Sequence, residues 1–272
     1  MKRGTKVAVC VIGIIAVLLI AGYVAVHSVS GLDSPFSVVM SASMQHDDNK
    51  SGIGVIDTGD VVLIQDPAKS NIQSYVEGTV SGYKSFGDYG NVIIYDRGDS
   101  NNPVIHRAIV WLNYNAIDST WSAPSLASYT GYWTCSDSKD YMKLSGVLTF
   151  FDLTQSKKRV SIDLNSIDEK QSGFLTLGDN PKSNTSFDQS GLIKHPIGND
   201  DIKSVAIMEI PWMGILKVFM SEKSGYLSHV PNSIYSLVML FSMVFIFIYC
   251  CDFIHLKKRL DDNRRKFEEL CD

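Results

Sequence analysis

The sequence predicts a mainly β domain carried between two transmembrane helices. Three observations predict it. Two uncharged apolar runs lie near the chain ends, and cations flank each run on one side only. Between them, short β-branched and aromatic runs alternate with clusters of Gly, Asp, Asn and Pro.

The first six residues, with Lys2, Arg3 and Lys6, read as a cytoplasmic tail. Val7 to Val26 is then uncharged throughout. About 20 apolar residues at ~1.5 Å each cross a hydrocarbon core of ~30 Å. The run is longer than the ~7–15 apolar residues of a cleavable signal peptide, and Ala25-Val26-His27 makes a poor cleavage site, so it reads as a retained anchor. A second uncharged run extends from Ser233 to Cys251, and 231–254 is predicted as the second span. Lys257, Lys258, Arg259, Arg264, Arg265 and Lys266 follow it, in a cytoplasmic tail covering 255–272. Cations on the outer side of both runs predict a cell-membrane protein with two spans, both termini in the cytoplasm and residues 27–230 outside.

That external segment reads as a single β core. Its strand signals are Val61–Ile64, Val92–Tyr95, Val104–Leu112, Val147–Phe151, Phe174–Leu177 and Val205–Ile210. Turn clusters at Thr58-Gly-Asp60, Asp96–Ser100 and Gly178-Asp-Asn-Pro181 separate them. Residues 113–173, rich in Ser, Thr, Tyr and Asp, read as an inserted β region. Cys135 is the one cysteine outside, so no internal disulfide braces the domain. No Cys/His spacing suggests a structural zinc. A net charge of −4 leaves no basic footprint for nucleic acid.

Three segments could carry chemistry: Val38–Met44, Pro103–Ile109 and Thr176–Pro181 with Asp188-Gln189 beyond. A serine hydroxyl attacks well only when a base takes its proton, and an imidazole does so near neutral pH. A carboxylate orients that imidazole and stabilises its charged form. Ser43, His106 and a downstream Asp supply those groups. A rate set by an imidazole base falls as the base is protonated, at about pH 6.5 for unperturbed histidine.

Ordered along the chain, Ser41-Ala-Ser-Met-Gln-His46, Gly59-Asp-Val-Val62, Asn91-Val-Ile-Ile-Tyr95, Pro103-Val-Ile-His-Arg107, Gly178-Asp-Asn180 and Ile210-Pro-Trp-Met-Gly214 resemble the boxes of type I signal peptidases. The resemblance runs from residue 38 to about 218, omitting the insertion. It is to the archaeal and endoplasmic-reticulum branch, because His106-Arg107 stands where bacterial members carry a Lys-Arg dipeptide. The resemblance implies a signal-peptidase-like β domain with Ser43 as nucleophile and His106 as general base. It also implies an oxyanion hole from the Ser43 N–H and the Ser41 hydroxyl, with Met44 beside the substrate groove. The acid is Asp188 or Asp179. Asp188 is favoured if three residues are inserted in the loop, with Asp179 then its structural or electrostatic neighbour. Ala42 and His46 depart from the family's Gly and Pro.

The activity so implied is cleavage of secretory preproteins after a small-x-small site, through a Ser43 acyl-enzyme, with no metal or organic cofactor. Signal peptides, membrane lipid and the protein translocation machinery are the implied partners. The competing reading is an inactive or non-enzymatic anchored β domain acting as a surface interaction protein, with the serine-box departures as its support.

Overall fold

The protein is described here by a computed structural model covering residues 3–47, 49–97, 103–191 and 193–271. Lys2 of the basic N-terminal cluster and Gly98–Ser100 of the predicted turn lie outside the described residues.

Helix α1 (Arg3–Ser30) extends past both ends of the predicted 7–26 segment. It stops at Gly31, whose φ of +74° and N–H bond to the His27 carbonyl (2.8 Å) form a left-handed cap. The chain then forms β1 (Phe36–Val38), β2 (Val61–Gln65), helix α2 (Tyr75–Ser81), the short hairpin β3 (Lys84–Ser85) and β4 (Asp88–Tyr89), and β5 (Val92–Tyr95). The long β6 (Val104–Asn115) leads into the insertion: β7 (Thr120–Ser122), β8 (Trp133–Cys135), β9 (Val147–Leu153) and β10 (Lys158–Asp163). Strands β11 (Gly173–Leu177) and β12 (Ile202–Ile210), a short α3 (Ile215–Phe219) and α4 (Pro231–Cys271) complete the order. Two segments, Gly13–Ser30 of α1 and Pro231–Arg265 of α4, are long and apolar enough to cross a membrane. The helix of α4 continues through the charged C-terminal tail.

The main sheet runs β1-β2-β12-β5-β6-β11, with β7 paired to the far end of β6. All its pairings are antiparallel. The insertion adds a three-stranded sheet, β10-β9-β8. It has no core of its own. Leu148, Phe150 and Val160 from the small sheet pack with Ile109, Leu112, Leu175 and Leu177 of the large one in a single buried cluster. Apolar alternation along the strands supplies both sides of that contact.

Both long helices are tied to the β domain at its edge. The Ser30 hydroxyl donates to the Ile64 carbonyl (2.7 Å), and Gln65 Nε2 donates to the Val29 carbonyl (2.8 Å). At the other end Asn232 exchanges two hydrogen bonds with the backbone of Ser51 (2.8 and 2.9 Å). These ties hold the helix ends close to the serine segment that follows β1.

Candidate active site

Beyond β1, pairing continues for one more residue: the Val39 N–H reaches the Asp60 carbonyl and its own carbonyl accepts from Gly59. The chain then turns at Ser41–Met44. A loop, residues 178–184, templates that turn. The Asn180 N–H donates to the Ser43 carbonyl (3.0 Å), Asn180 Nδ2 to the Ala42 carbonyl (2.7 Å) and Asn184 Nδ2 to the Ser43 carbonyl (2.7 Å). Gly178 allows the approach, since a Cβ there would stand 2.5 Å from the Ser43 carbonyl oxygen. From the other side, buried Gln45 accepts from the Thr58 hydroxyl and donates to the Asp47 and His229 carbonyls. Ala42 is not among the residues with positive φ, so the missing glycine leaves no backbone strain there.

The fixed carbonyls have a consequence for the serine amide. In a trans peptide the Ala42 carbonyl and the Ser43 N–H point in opposite directions. Holding that carbonyl against Asn180 therefore aims the Ser43 N–H away from the loop, and it has no acceptor among the described residues. Ser43 Oγ lies 3.3 Å from Ser41 Oγ, which is its hydrogen-bond contact among those residues.

His106 and Arg107 are consecutive in β6, so their side chains leave opposite faces of the sheet. His106 is 4% exposed, and its Nδ1 meets Asp188 Oδ2 at 2.7 Å. The same carboxylate oxygen accepts from the Tyr95 and Thr176 hydroxyls, each at 2.7 Å. Register explains the convergence: Tyr95 is two residues beyond Ile93, the partner of His106, and Thr176 lies opposite Ala108, two residues along β6. Asp188 itself opens a single 3-10 turn held by Phe187, which is buried edge-to-face against Phe150. Gln189 fixes the turn by accepting from the Thr176 N–H (3.0 Å). Burial alone would raise the Asp188 pKa. The adjacent His106 and the three hydrogen bonds outweigh it and hold the group below the ordinary carboxylate value.

Arg107 takes the other aspartate. Fully buried, it donates from Nε to Asp179 Oδ1 (2.9 Å) and from Nη2 to Asp179 Oδ2 (2.6 Å). Its Nη1 donates to the Ser85, Tyr89 and Gly90 carbonyls of the β3–β4 hairpin, each at 3.1 Å. The two aspartates named by the sequence thus sit on different partners: Asp188 on His106, Asp179 on Arg107.

Ser41, Ser43, His106 and Asp188 all line one cleft of about 660 Å³. Ser43 and His106 face it without a hydrogen bond between them. Val62, Ile94 and Ile105 line its apolar part, and Lys217 and Lys223 bring positive charge. Met44 corrects an expectation. It is 1% exposed and packs with Val39, Ile56, Val62, Val92 and Ala206 beneath the turn, so it is a core residue and does not line the groove. The turn sends Ser43 toward the cleft and the next side chain inward.

The cleft has strand edges on two sides. Pro35 and Val39 bond to the β2 side, so by alternation the backbone groups of Val38 point to the free edge of β1. On the opposite side β11 pairs with β6 only from Arg107 onward, leaving Val104–His106 without a strand neighbour there among the described residues.

Residues absent from the sequence-based site are Tyr95, Thr176, Asn180 and Asn184. Tyr95 and Asn180 fall inside the quoted boxes and Thr176 opens the third segment, but only strand register and a long-range loop contact bring them to Asp188 and Ser43. Scanned against protein-family models the chain matches none, and a search of curated proteins likewise returns no match.

Proposed function

We propose that the chain is a membrane-anchored serine endopeptidase that removes signal peptides from secretory preproteins, a type I signal peptidase of the archaeal and endoplasmic-reticulum kind. The observation that carries the reading is the Asp188–His106 pair opening onto the same cleft as Ser43.

With its Nδ1 proton on Asp188, His106 presents Nε2 as the base. It takes the Ser43 proton as Oγ attacks the scissile carbonyl. The oxyanion is held by the Ser43 N–H, already aimed away from the 178–184 loop, and by the Ser41 hydroxyl. An oxyanion donor of this kind contributes about 3–4 kcal/mol to transition-state stabilisation. His106 returns the proton to the leaving amine of the mature protein, then activates water to hydrolyse the acyl-enzyme. Asp188 stays ionised throughout and stabilises the imidazolium.

The free edges at Val38 and at Val104–Ile105 support binding of an extended segment by strand addition. Side chains of that segment would meet Val62, Ile94 and Ile105, a shallow apolar lining suited to small residues. The cationic flanks of both apolar helices support cytoplasmic termini and, with them, a cleft outside and beside the bilayer. A preprotein still held in the membrane by its apolar segment is then presented at short range.

The test is cleavage of a model preprotein by the detergent-solubilised full chain and its Ser43→Ala, His106→Ala and Asp188→Asn variants. Cleavage after a small-x-small site, lost in the first two variants and strongly reduced in the third, is expected. Activity that survives Ser43→Ala overturns the mechanism.

A further inference from the structure

Lys158 of the insertion reaches the loop that holds the serine turn. The β9–β10 hairpin turns with Asp152, Thr154 and Lys157 at positive φ, and the tip lies against the supports of the site. The Gln155 N–H donates to Asp88 Oδ2 (2.8 Å), Gln155 Nε2 donates to the Gly87 carbonyl, and the Thr154 N–H donates to the Tyr75 hydroxyl (3.1 Å). So anchored, the first residue of β10 extends its ammonium into the 178–184 loop. Lys158 Nζ lies 3.1 Å from the Gly178 carbonyl, 3.2 Å from Asp179, 2.8 Å from Asn180 and 3.2 Å from Asn184. An ammonium has three protons, so these four carbonyls occupy its whole donor capacity.

We propose that Lys158 is a positioning residue for Ser43: by gathering four carbonyls of the 178–184 loop around one ammonium, it fixes the loop in the shape whose amides hold the serine turn. The proposal rests on the reading of Ser43 as nucleophile. The geometry is two-sided. Loop carbonyls turn in toward Lys158, while the Asn180 N–H, Asn180 Nδ2 and Asn184 Nδ2 turn out toward the carbonyls of Ala42 and Ser43. Without the cation, four carbonyl dipoles would converge on an empty point, and the loop would open to hydrate them. The Ala42–Ser43 peptide, and with it the Ser43 N–H, would then lose its fixed direction. Catalysis is more sensitive to such a loss than binding is, because the oxyanion forms only in the transition state.

The charge itself has a pH limit. Burial lowers the Lys158 pKa to about 8, with Asp179 and Asp88 opposing. The charged and titratable groups facing it are those two carboxylates, with Arg107 bound to Asp179 and the His46 ring 3.7 Å from the Asp179 carboxylate. Above pH 8 the amine becomes neutral and keeps two protons for four carbonyls.

The experiment compares the full chain with Lys158→Met, Lys158→Arg and Ser161→Ala, using preprotein cleavage and amide hydrogen exchange. Ser161, also on β10, bonds Thr149 (2.8 Å) and touches neither the loop nor the cleft, so its variant reports general loosening of the hairpin. Lys158→Met is expected to lower kcat by about 10- to 100-fold, with KM changed by less than about twofold. Exchange should quicken at the 178–184 and 41–45 segments and not in β11. Lys158→Arg, which keeps a charge at all working pH, should recover rate and lose any alkaline fall near pH 8. Ser161→Ala should match the wild type. Wild-type kcat and exchange in Lys158→Met overturn the proposal, as does an equal effect of Ser161→Ala. If Lys158→Met does not fold, the wild type decides alone: exchange in 178–184, corrected for intrinsic base catalysis, must rise through pH 8 while β11 stays protected. A wild type that cuts nothing overturns the protease reading, and the exchange result still decides the coupling of lysine, loop and turn.

Discussion

Arg107 and Asp179 meet in two parallel hydrogen bonds with both side chains buried, one residue along the strand from the pair formed by His106 and Asp188. The adjacent pairs divide the work of the two aspartates. One stands behind the imidazole in the cleft; the other neutralises a guanidinium in the interior.

Asp179→Ala should therefore act on stability first. Removing one partner strands a fully buried guanidinium, which costs about 3–5 kcal/mol. A fall in the thermal midpoint is expected, with a smaller loss of cleavage by the remaining folded fraction than in Asp188→Asn. Asp188→Asn should weight the losses the other way: a smaller fall in midpoint, from the lost ionised carboxylate, and a large loss of kcat. Equal midpoint losses in the two variants would contradict this division.

Tyr95→Phe removes one of three donors to Asp188 Oδ2. A hydrogen bond to a charged group contributes about 1.5–3 kcal/mol, so kcat should fall by about tenfold or more without change in KM. The same variant has a pH signature. The folded-state pKa of Asp188 is depressed, so its stabilisation is complete above the unfolded value of about 3.9. It is lost as pH falls through the lower folded value. Tyr95→Phe brings the folded value closer to the unfolded one. Thermal midpoints measured from pH 5 downward should fall less steeply in the variant than in the wild type.

Asp60 predicts an opposite trend. Its carboxyl accepts from the Trp212 and Asp57 N–H groups, each at 2.8 Å, which favours ionisation. Burial is the larger effect, and it pushes the pKa up to about 8. Stability from a raised group is complete below the unfolded value of about 3.9 and is lost as pH rises through 8. Denaturation midpoints should decline from pH 4 toward pH 8, and the decline should be shallower in Asp60→Asn.

Gly178→Ala places a methyl group 2.5 Å from the Ser43 carbonyl oxygen, with the Asn184 amide on its other side. Neither neighbour can withdraw without giving up the bond that joins them. Loss of cleavage, and of Ser43 labelling by a phosphonate probe, should exceed the loss of thermal stability. A variant that labels at the wild-type rate would show the turn to be independent of the loop.

The strands were legible because their signal is local. Val92–Tyr95 has the predicted bounds, and Val61–Gln65 and Gly173–Leu177 each differ by one residue. Helix α2 is not legible in the sequence, although Ser74 and Glu77 form its capping box, because seven residues carry too little periodicity. The pairing of Asp188 with His106 was legible as one of two options. Spacing along a loop cannot choose between them; opposite faces of β6 do. For Met44 the resemblance gives the neighbourhood and not the direction of the side chain, which points into the core. Lys158 had no signal at all, since its four acceptors are backbone carbonyls about twenty residues away.

The place of β12 in the sheet bears on how the protein comes into being. Within the main sheet, β1 and β2, which lead to the serine, join β5 and the histidine-bearing β6 through β12 lying between them. That strand is the last to emerge during synthesis. A nascent chain ending before Ile202 already holds the strands that seat Asp188, but it lacks the strand that joins the serine side of the sheet to the histidine side. The sheet behind the cleft is therefore complete only once residues through Ile210 have been made. Until then the Ser43 and His106 sides of the sheet lack the strand that sets their spacing, so closure of the sheet waits on the strand made last.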